Sequence, residues 1–440
     1  MTSLALDPGT RYVRLARVGP AGLPEPVELP GAVPGDGLPV PATAAGDRGA
    51  ALRAAYDAYL RHHDAPDRLI VVVPPHDRAH HARRAADALA GPPATAPAPD
   101  IRTLTTPHAV LALLRHTGGA GAGRYAVCDL GASAATVSVC VVTRSAVAVA
   151  ATARHAPDDG YGAAFDTALL TRSGLTPDDA GHRALAAARA APGAARRLAL
   201  VLERAARDPG RLDTAAVHHV AGRPVTAGTL RAALPPLTDG LDRALRDALG
   251  PAAATPLVLT GGVARLDPLR PHLDAAGRPL TALPDGTDPA HAAVLGAALV
   301  AAGRADPADR YPYEVWIGAH RTEAGHPADR ELLLSAAGAL EPGGPPVFAE
   351  ADGHRIGVRT RAGHPVRVRV GDPATGAGGP VGTLTLPGGG PADRYHVGVR
   401  LAVDGTAALV LQPLGAGPPG AFPLGTLPAD IGTDSKEVGP

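Results

Sequence analysis

Two stretches of this chain carry the same unit, and no other feature constrains its fold as much. "LALDPGTRYVRLARV" (residues 4–18) and "YAVCDLGASAATVSVCVV" (residues 125–142) each run strand, Asp-x-Gly turn, strand. Asp7, Gly9 and Thr10 in the first stand where Asp129, Gly131 and Ser133 or Ala134 stand in the second. Internal self-similarity marks a repeated architecture, and a similar procession follows each copy. In the first, a helix is expected over about 50–62, then the strand "RLIVVVP", a helix over 78–90, a strand near 101–104 and a helix over 107–116. In the second, strands continue to about 153, followed by helices over 161–172 and 193–207 and one long helix over 226–249. The strand "PLVLTGG" comes next, with helices starting near 264–265 and 288. Strands alternating with helices of this length predict α/β layers. Two such units predict two lobes with a cleft between them.

An Asp-x-Gly hairpin facing a cleft suits phosphate and metal handling. Successive backbone N–H groups in a tight turn form an anion nest, and glycine lets the backbone come close because it lacks a Cβ and tolerates positive φ. An aspartate at the strand end can hold Mg2+ through water, since that ion keeps much of its hydration shell. A single such turn is also ordinary turn chemistry; the duplication is what suggests a clamp on a polyphosphate. A third segment, "PLVLTGGVARLDPLRPHL", reads as a buried strand, Gly261-Gly262 and a helix N-terminus, which brings close backbone and a positive dipole end to a ligand.

With 440 residues, the chain is long enough for two or three domains with cores of their own. Forty-two basic residues balance forty-two acidic ones, so net charge gives no footprint for nucleic acid or an anionic membrane. Lys436 is the sole lysine, which excludes any chemistry that needs a lysine in the body of the protein. The N-terminus has neither the basic segment nor the apolar stretch of a signal, and no apolar run approaches ~18 to 20 residues. A cytoplasmic location is expected. Cys128 and Cys140 lie inside apolar strand-like runs and read as small core residues. The histidine pairs His62/His63, His80/His81 and His218/His219 have no metal-ligand spacing and read as surface residues.

After Gly303, "RADPADRYP" reads as a linker, and the pattern changes to period two. "RIGVRTR", "PVRVRVGD", "VGTLTLPG" and "YHVGVRLAVDGTAALVLQP" alternate apolar and polar residues, and Asp352-Gly353 and Asp404-Gly405 are hairpin signals. A small antiparallel β-domain with one packed and one solvated face follows. Arg367, Arg369 and Arg400 read as its solvated face, and "DIGTDSKEVGP" as a disordered tail.

The motifs and their order resemble the nucleotide-binding domain of the DnaK-type, seventy-kilodalton heat-shock chaperones, within the actin and sugar-kinase superfamily. "LALDPGTRYVRLA" and "YAVCDLGASAATVSV" resemble that family's two phosphate loops, and "VVVPPHDRAHHARRAADALAG" the strand and helix between them. "DDGYGAAFDTALL" resembles its Gly-Gly-Glu-Asp-Phe-Asp segment, "VLERAARDPG" the adenine-side helix, and "VTAGTLRAALPPLTDGLDRALRDAL" the helix pair before the adenosine motif. "LVLTGGVARLDPL" is similar to that motif and "DPAHAAVLGAAL" to the closing helix; together the blocks span about 300 residues. The resemblance implies an α/β fold: a two-lobed actin-like ATPase domain with duplicated ribonuclease-H-like cores, followed by a small antiparallel β-sandwich domain. It places the nucleotide-binding domain at 1–303 (lobe I about 1–122, lobe II about 123–303), a linker at 304–311, a β-sandwich at 312–418 and a flexible tail at 419–440.

The resemblance also implies ATP or ADP with Mg2+ as cofactors. Gly9, Thr10, Arg11, Tyr12, Gly131, Ala132 and Ser133 would meet the phosphates, and Glu203, Arg207, Gly261, Gly262, Arg265 and Leu266 the adenosine, with Arg265 stacked on the base. Asp7 and Asp129 would hold Mg2+ through water. The departures are specific. Ala132, Ser133 and Ala134 stand where the family has glycines and a threonine, and Thr136 where it has a second aspartate. Arg11 replaces a second threonine, Arg48 is the nearest cation to the missing catalytic lysine, and Thr106 takes the place of the water-positioning glutamate. Ala206, Gly210 and Ala290 replace a lysine, a serine and an aspartate, and the chain is short between Arg11 and Ile70, which trims one outer subdomain. Loss of a water-positioning group costs ~10² to 10⁴ in rate. The expected function is an ATP-binding chaperone or protein-interaction module whose nucleotide state is coupled to peptide or partner binding at the β-domain, with weak or absent hydrolysis and no helical lid. Two alternatives stand beside it: a nucleotide-independent pseudo-ATPase scaffold, and a small-molecule kinase of the same superfamily, which would need a catalytic aspartate and no β-domain. The expected partner is a client peptide or protein, with no nucleic acid or membrane; oligomeric state stays open.

Overall fold

A computed structural model of the protein describes residues 2–40, 47–76, 78–90, 99–191, 193–250, 254–266, 268–323, 326–359, 365–373, 375–385, 394–415, 417–428 and 431. The chain is mixed α/β, built on several sheets. Strands β1 (Ser3–Pro8), β2 (Tyr12–Val18), β3 (Pro24–Pro26), β4 (Leu38–Pro39), β5 (Arg68–Val73) and β6 (Asp100–Thr105) form the first, in the order β3-β2-β1-β5-β6 with β4 on β2. The second takes β7 (Gly123–Leu130), β8 (Ala135–Val142) and β9 (Val147–His155). After the separate hairpin β10 (Ala216–Val220) and β11 (Arg223–Thr226), β12 (Leu257–Thr260) completes it in the order β12-β7-β8-β9. The two sheets repeat one pattern. An antiparallel meander starts with the Asp-bearing strand, and a later strand joins that strand in parallel, β5 on β1 and β12 on β7. The near-continuous burial of "RLIVVV" and "LVLT" is what a parallel strand covered on both faces requires.

Helices α1 (Arg48–Leu60) and α2 (Arg78–Leu89) cover the outer face of the first sheet through Leu52, Tyr56, Ala85 and Leu89. Helix α3 (Thr106–His116) follows β6. In the second half come α4 (Tyr161–Arg172), α5 (Asp179–Ala190), α6 (Ala194–Arg207), α7 (Pro209–Leu212), α8 (Ala227–Ala233), α9 (Pro235–Leu249), α10 (Leu269–Ala275) and α11 (Ala292–Ala301). Of these, α4, α8 and α9 cover the outer face of the second sheet. Between the sheets lie α3 and α11, sharing one core with Ala5 and Ile70 of the first sheet and Val127 and Val258 of the second. "AAVLGAALVA" is apolar all round because both its faces are buried. The two helices touch backbone to backbone: a Cβ at Gly296 would lie 1.9 Å from the Ala109 carbonyl oxygen.

The C-terminal region is a two-sheet β-domain made of β13 (Glu314–Glu323), β14 (His326–Ser335), β15 (Val347–Phe348), β16 (Glu350–Ala351), β17 (His354–Arg355), β18 (Gly357–Val358), β19 (Pro365–Gly371), β20 (Gly378–Thr385), β21 (Tyr395–Leu401), β22 (Thr406–Pro413) and β23 (Gly420–Thr426). One sheet has the order β14-β13-β19-β20, the other β15-β21-β22-β23 with β18 also on β21. They enclose one core of Val315, Ile317, Val368, Val399, Leu409 and neighbours. Asp352 and Gly353, at φ 52° and 77°, form the turn that the sequence signals between β16 and β17.

Between these regions the linker is gripped on several sides. Arg78 pairs with Asp309, and buried His108 reaches the same carboxylate at 3.3 Å. His108 also meets the Val147 carbonyl at 3.0 Å through Nε2 and Thr105 Oγ1 at 2.6 Å through Nδ1, while the Val147 N–H donates to the Ala308 carbonyl. Burial pushes the His108 pKa down, against the pull of Asp309.

Three expectations are corrected. The long helix over 226–249 is two, because Pro235 has no N–H to continue the first. The helix expected near 264 is a 3-10 turn, Gly262–Arg265, and the regular helix waits until Leu269. The tail expected from 419 instead begins as strand β23, with Pro423 tolerated on an edge strand. Leu427 is buried, and the Pro428 carbonyl accepts from the Tyr311 hydroxyl at 2.9 Å. Residues 432–440, with Lys436, lie outside the described residues. Among the described residues no helix is long and apolar enough to cross a membrane.

The α3–α11 contact carries a direct expectation. Gly296→Ala must push the helices apart and lowers stability by about 1–3 kcal/mol, in the range of overpacked cores, as read by denaturant unfolding. Gly296→Leu leaves no cooperative transition.

Candidate functional site

Both Asp-x-Gly turns open on one cavity of about 1100 Å3 between the two sheets. Asp7 and Asp129 are each the last residue but one of their strands, β1 and β7, and each is carried to the rim by its strand register. Gly9 is fixed by space, since a Cβ there would lie 2.7 Å from the Tyr12 carbonyl oxygen. The second turn is closed by the Gly131 N–H on the Ala134 carbonyl at 2.9 Å. Its Ala132 carbonyl accepts the N–H groups of Gly162 and Ala163 at 2.9 and 3.2 Å, so the start of α4 is docked on the turn. That contact explains the glycines of "DDGYGAAFD": a Cβ at Gly162 would lie 3.1 Å from both Ala132 Cα and the Gly131 carbonyl oxygen. On the third side β12 runs parallel to β7 and places Gly261 at φ 91°, with the Leu130 carbonyl oxygen only 2.5 Å from where a Cβ would stand.

Asp7, Asp129, Gly9, Thr10, Arg11, Tyr12, Gly131, Ala132, Ser133, Gly261, Gly262, Arg265 and Leu266 all line this cavity, as do Arg48 and Thr106. Glu203 and Arg207 do not line it. They pair with each other at 2.6 Å on the exposed face of α6, one helical turn apart. Thr106 is buried at the start of α3 and brings no carboxylate to the position of the expected glutamate. Arg265 is engaged elsewhere than on a base. Its guanidinium donates to Asp288 at 2.8 and 2.6 Å and also to Asp36 and the Gly35 carbonyl. Burial works against the Asp288 carboxylate, yet hydrogen bonds from His291, Arg265 and the Ala290 N–H hold its pKa well below the usual range.

Sequence reasoning missed Arg14. It is buried on β2 directly opposite Asp7, and among the described residues its guanidinium makes no hydrogen bond or ion pair, with Nε sealed from solvent. An arginine inside the buried run "YVRLA" was the available cue. Asp36 and Asp288 were also missed, and His218 was misread: period two in β10 turns His218 inward and His219 outward, so His218 is only 3% exposed.

Charge dominates the site. Eight arginines and five aspartates line the cavity, with no lysine or glutamate among them. Burial raises the pKa of Asp7, and burial together with Asp7 pushes Asp129 up to about 7, against the pull of Arg14 and Arg48. Burial lowers the pKa of Arg48, against the attraction of Asp7 and Asp129. Other contacts tie the two sides together. Thr10 Oγ1 donates to Ser133 Oγ at 2.9 Å, and Arg11 pairs with Asp166, which Arg189 also holds at 2.8 Å. Cys128 and Cys140 are buried, and burial pushes their thiols up to about 12.

No model of a protein family matches the sequence, and no curated protein matches it.

A carboxyl whose folded pKa lies above its unfolded value stabilises least at high pH. Asp129 therefore weakens the fold as pH rises from about 4 through 7. In metal-free buffer, the unfolding temperature of Asp129→Asn relative to the parent protein should rise between pH 5 and pH 8.

Proposed function

We propose that the protein is a DnaK-like, Mg2+-dependent binder of ATP and ADP with slow hydrolysis, its two repeated sheets forming the lobes of an actin-like clamp. One observation carries the reading. Asp7, Asp129, Arg14 and Arg48 line one cavity, where the two arginines attract the two mutually repelling carboxylates, yet none of the four is paired in a hydrogen bond or salt bridge among the described residues. Oppositely charged groups left apart in a half-buried site favour a ligand that carries both signs, and a metal-bound phosphate is such a ligand.

The donor set fits magnesium. Two carboxylates stand near strand ends at one cavity, and a pair of carboxylates is the kind of donor set that suits an ion keeping most of its water. When bound, the ion would neutralise phosphate charge. Asp7 and Asp129 would hold its water shell, and Arg14 and Arg48 would donate to phosphate oxygens in the fork geometry of guanidinium. Gly9 and Gly131 would present turn N–H groups, and Gly261 close backbone. Thr106 offers a hydroxyl but no carboxylate to orient an attacking water, which supports slow hydrolysis. The β-domain would take up a peptide or partner, with the gripped linker as its tie to the clamp.

The second reading, a scaffold that does not need nucleotide, is favoured by the contacts that already join the cavity walls, Thr10 with Ser133, Arg11 with Asp166 and Arg265 with Asp36. Titration calorimetry separates the two. On the first reading ADP binds with Mg2+ and more weakly without it, Asp129→Asn removes the difference, and Arg14→Leu weakens binding at least about tenfold, the scale of a lost charge-assisted contact. Absence of binding at millimolar nucleotide leaves the scaffold. If slow hydrolysis comes from the missing carboxylate, Thr106→Glu should raise phosphate release by about 10²-fold or more.

A further inference from the structure

Part of the cavity lining, its second limb, comes from α4, α5, α6 and β10. Its wall includes the N-terminus of α6, where Gly193 stands in the left-handed region at φ 74° and no side chain caps the helix. The Ala194 N–H bonds back to the Ala191 carbonyl at 2.9 Å, and among the described residues the Arg196 N–H has no acceptor, the kind of first-turn donor that a ligand can satisfy. Arg196 lines the mouth, and Arg189 lies along the wall with its guanidinium 5.8 Å from the Phe165 ring centre. His218, 3% exposed, also lines the limb, and its Nδ1 has no hydrogen-bond partner. Burial, with Arg189 and Arg197 nearby, pushes the His218 pKa down to about 4.

An imidazole kept neutral first by burial and then by nearby cations, on the same wall as an uncapped helix of 14 residues, is a poor place for a cation and a good one for an anion. Asp166 is the carboxylate on this wall, and Arg11 and Arg189 already hold it. We infer that the limb is a second anion subsite, taking a phosphomonoester carried on the sugar of the nucleotide whose 5′-phosphates meet Asp7, Asp129, Arg14 and Arg48. The inference rests on the nucleotide reading above. It makes Arg196, His218 and the α6 N–H groups the determinants that set a doubly phosphorylated nucleotide apart from plain ADP.

The test is calorimetry of the full chain in Mg2+ with ADP and with its 3′-phosphorylated counterpart. The extra phosphate should tighten binding at least about tenfold, the scale of a charge-assisted contact. The ratio of the two affinities should fall towards one in Arg196→Ala, whose side chain is exposed, and in His218→Gln. In the parent protein the His218 imidazole, followed by proton NMR, should titrate at higher pH with the 3′-phosphorylated ligand than with ADP. Equal affinities with an unmoved His218 titration, or a gain that survives both substitutions, overturn the subsite and leave the main phosphate site standing. Failure of both ligands to bind overturns the two together.

Discussion

Everything at the cavity depends on the contact between α3 and α11. These helices lie between the sheets, and a glycine on one sits against a carbonyl of the other, so the spacing of the sheets is set by backbone and not by side chains that could repack. With that spacing fixed, β1 and β7 end at a common rim. The duplicated hairpins then face one cavity.

The consequence is electrostatic. Burial, and after it the nearby Asp7 carboxylate at the same rim, raise the Asp129 pKa, while Arg14 and Arg48 supply opposite charge without closing on either acid. Such an arrangement is costly while nothing is bound. The same wall is relieved elsewhere by closed pairs, Arg11 and Arg189 on Asp166 and Arg265 on Asp288 and Asp36. Paired and unpaired charges thus divide the cavity into parts that hold the walls together and parts whose charges have no partner among the described residues.

Much of this was legible in the sequence, because a strand ending in Asp-x-Gly fixes where its acid goes. The duplicated hairpin, the alternation of strand and helix, the Gly261 turn and the β-domain all follow from local pattern. What failed was long-range. Arg14 looked like one of many arginines until β2 paired with β1 and set it opposite Asp7. Glu203 and Arg207 lie one turn apart on α6, and nothing local says which way that face turns; it turns outward. Asp36 belongs to a short segment between β3 and β4 whose reach to Arg265 depends on both sheets. The hairpin of β13 and β14, part of the period-two region, was not picked out by its own motif, although Val315 and Ile317 alternate inward.

The composition of the cavity wall has one more result. Each cation on it is an arginine, and guanidinium stays protonated across the physiological range. Its positive charge therefore neither fades in alkaline conditions nor answers to reagents and enzymes that acylate amines. Chemical silencing of this surface would have to go through its carboxylates, through arginine-directed modification or through the ligand itself.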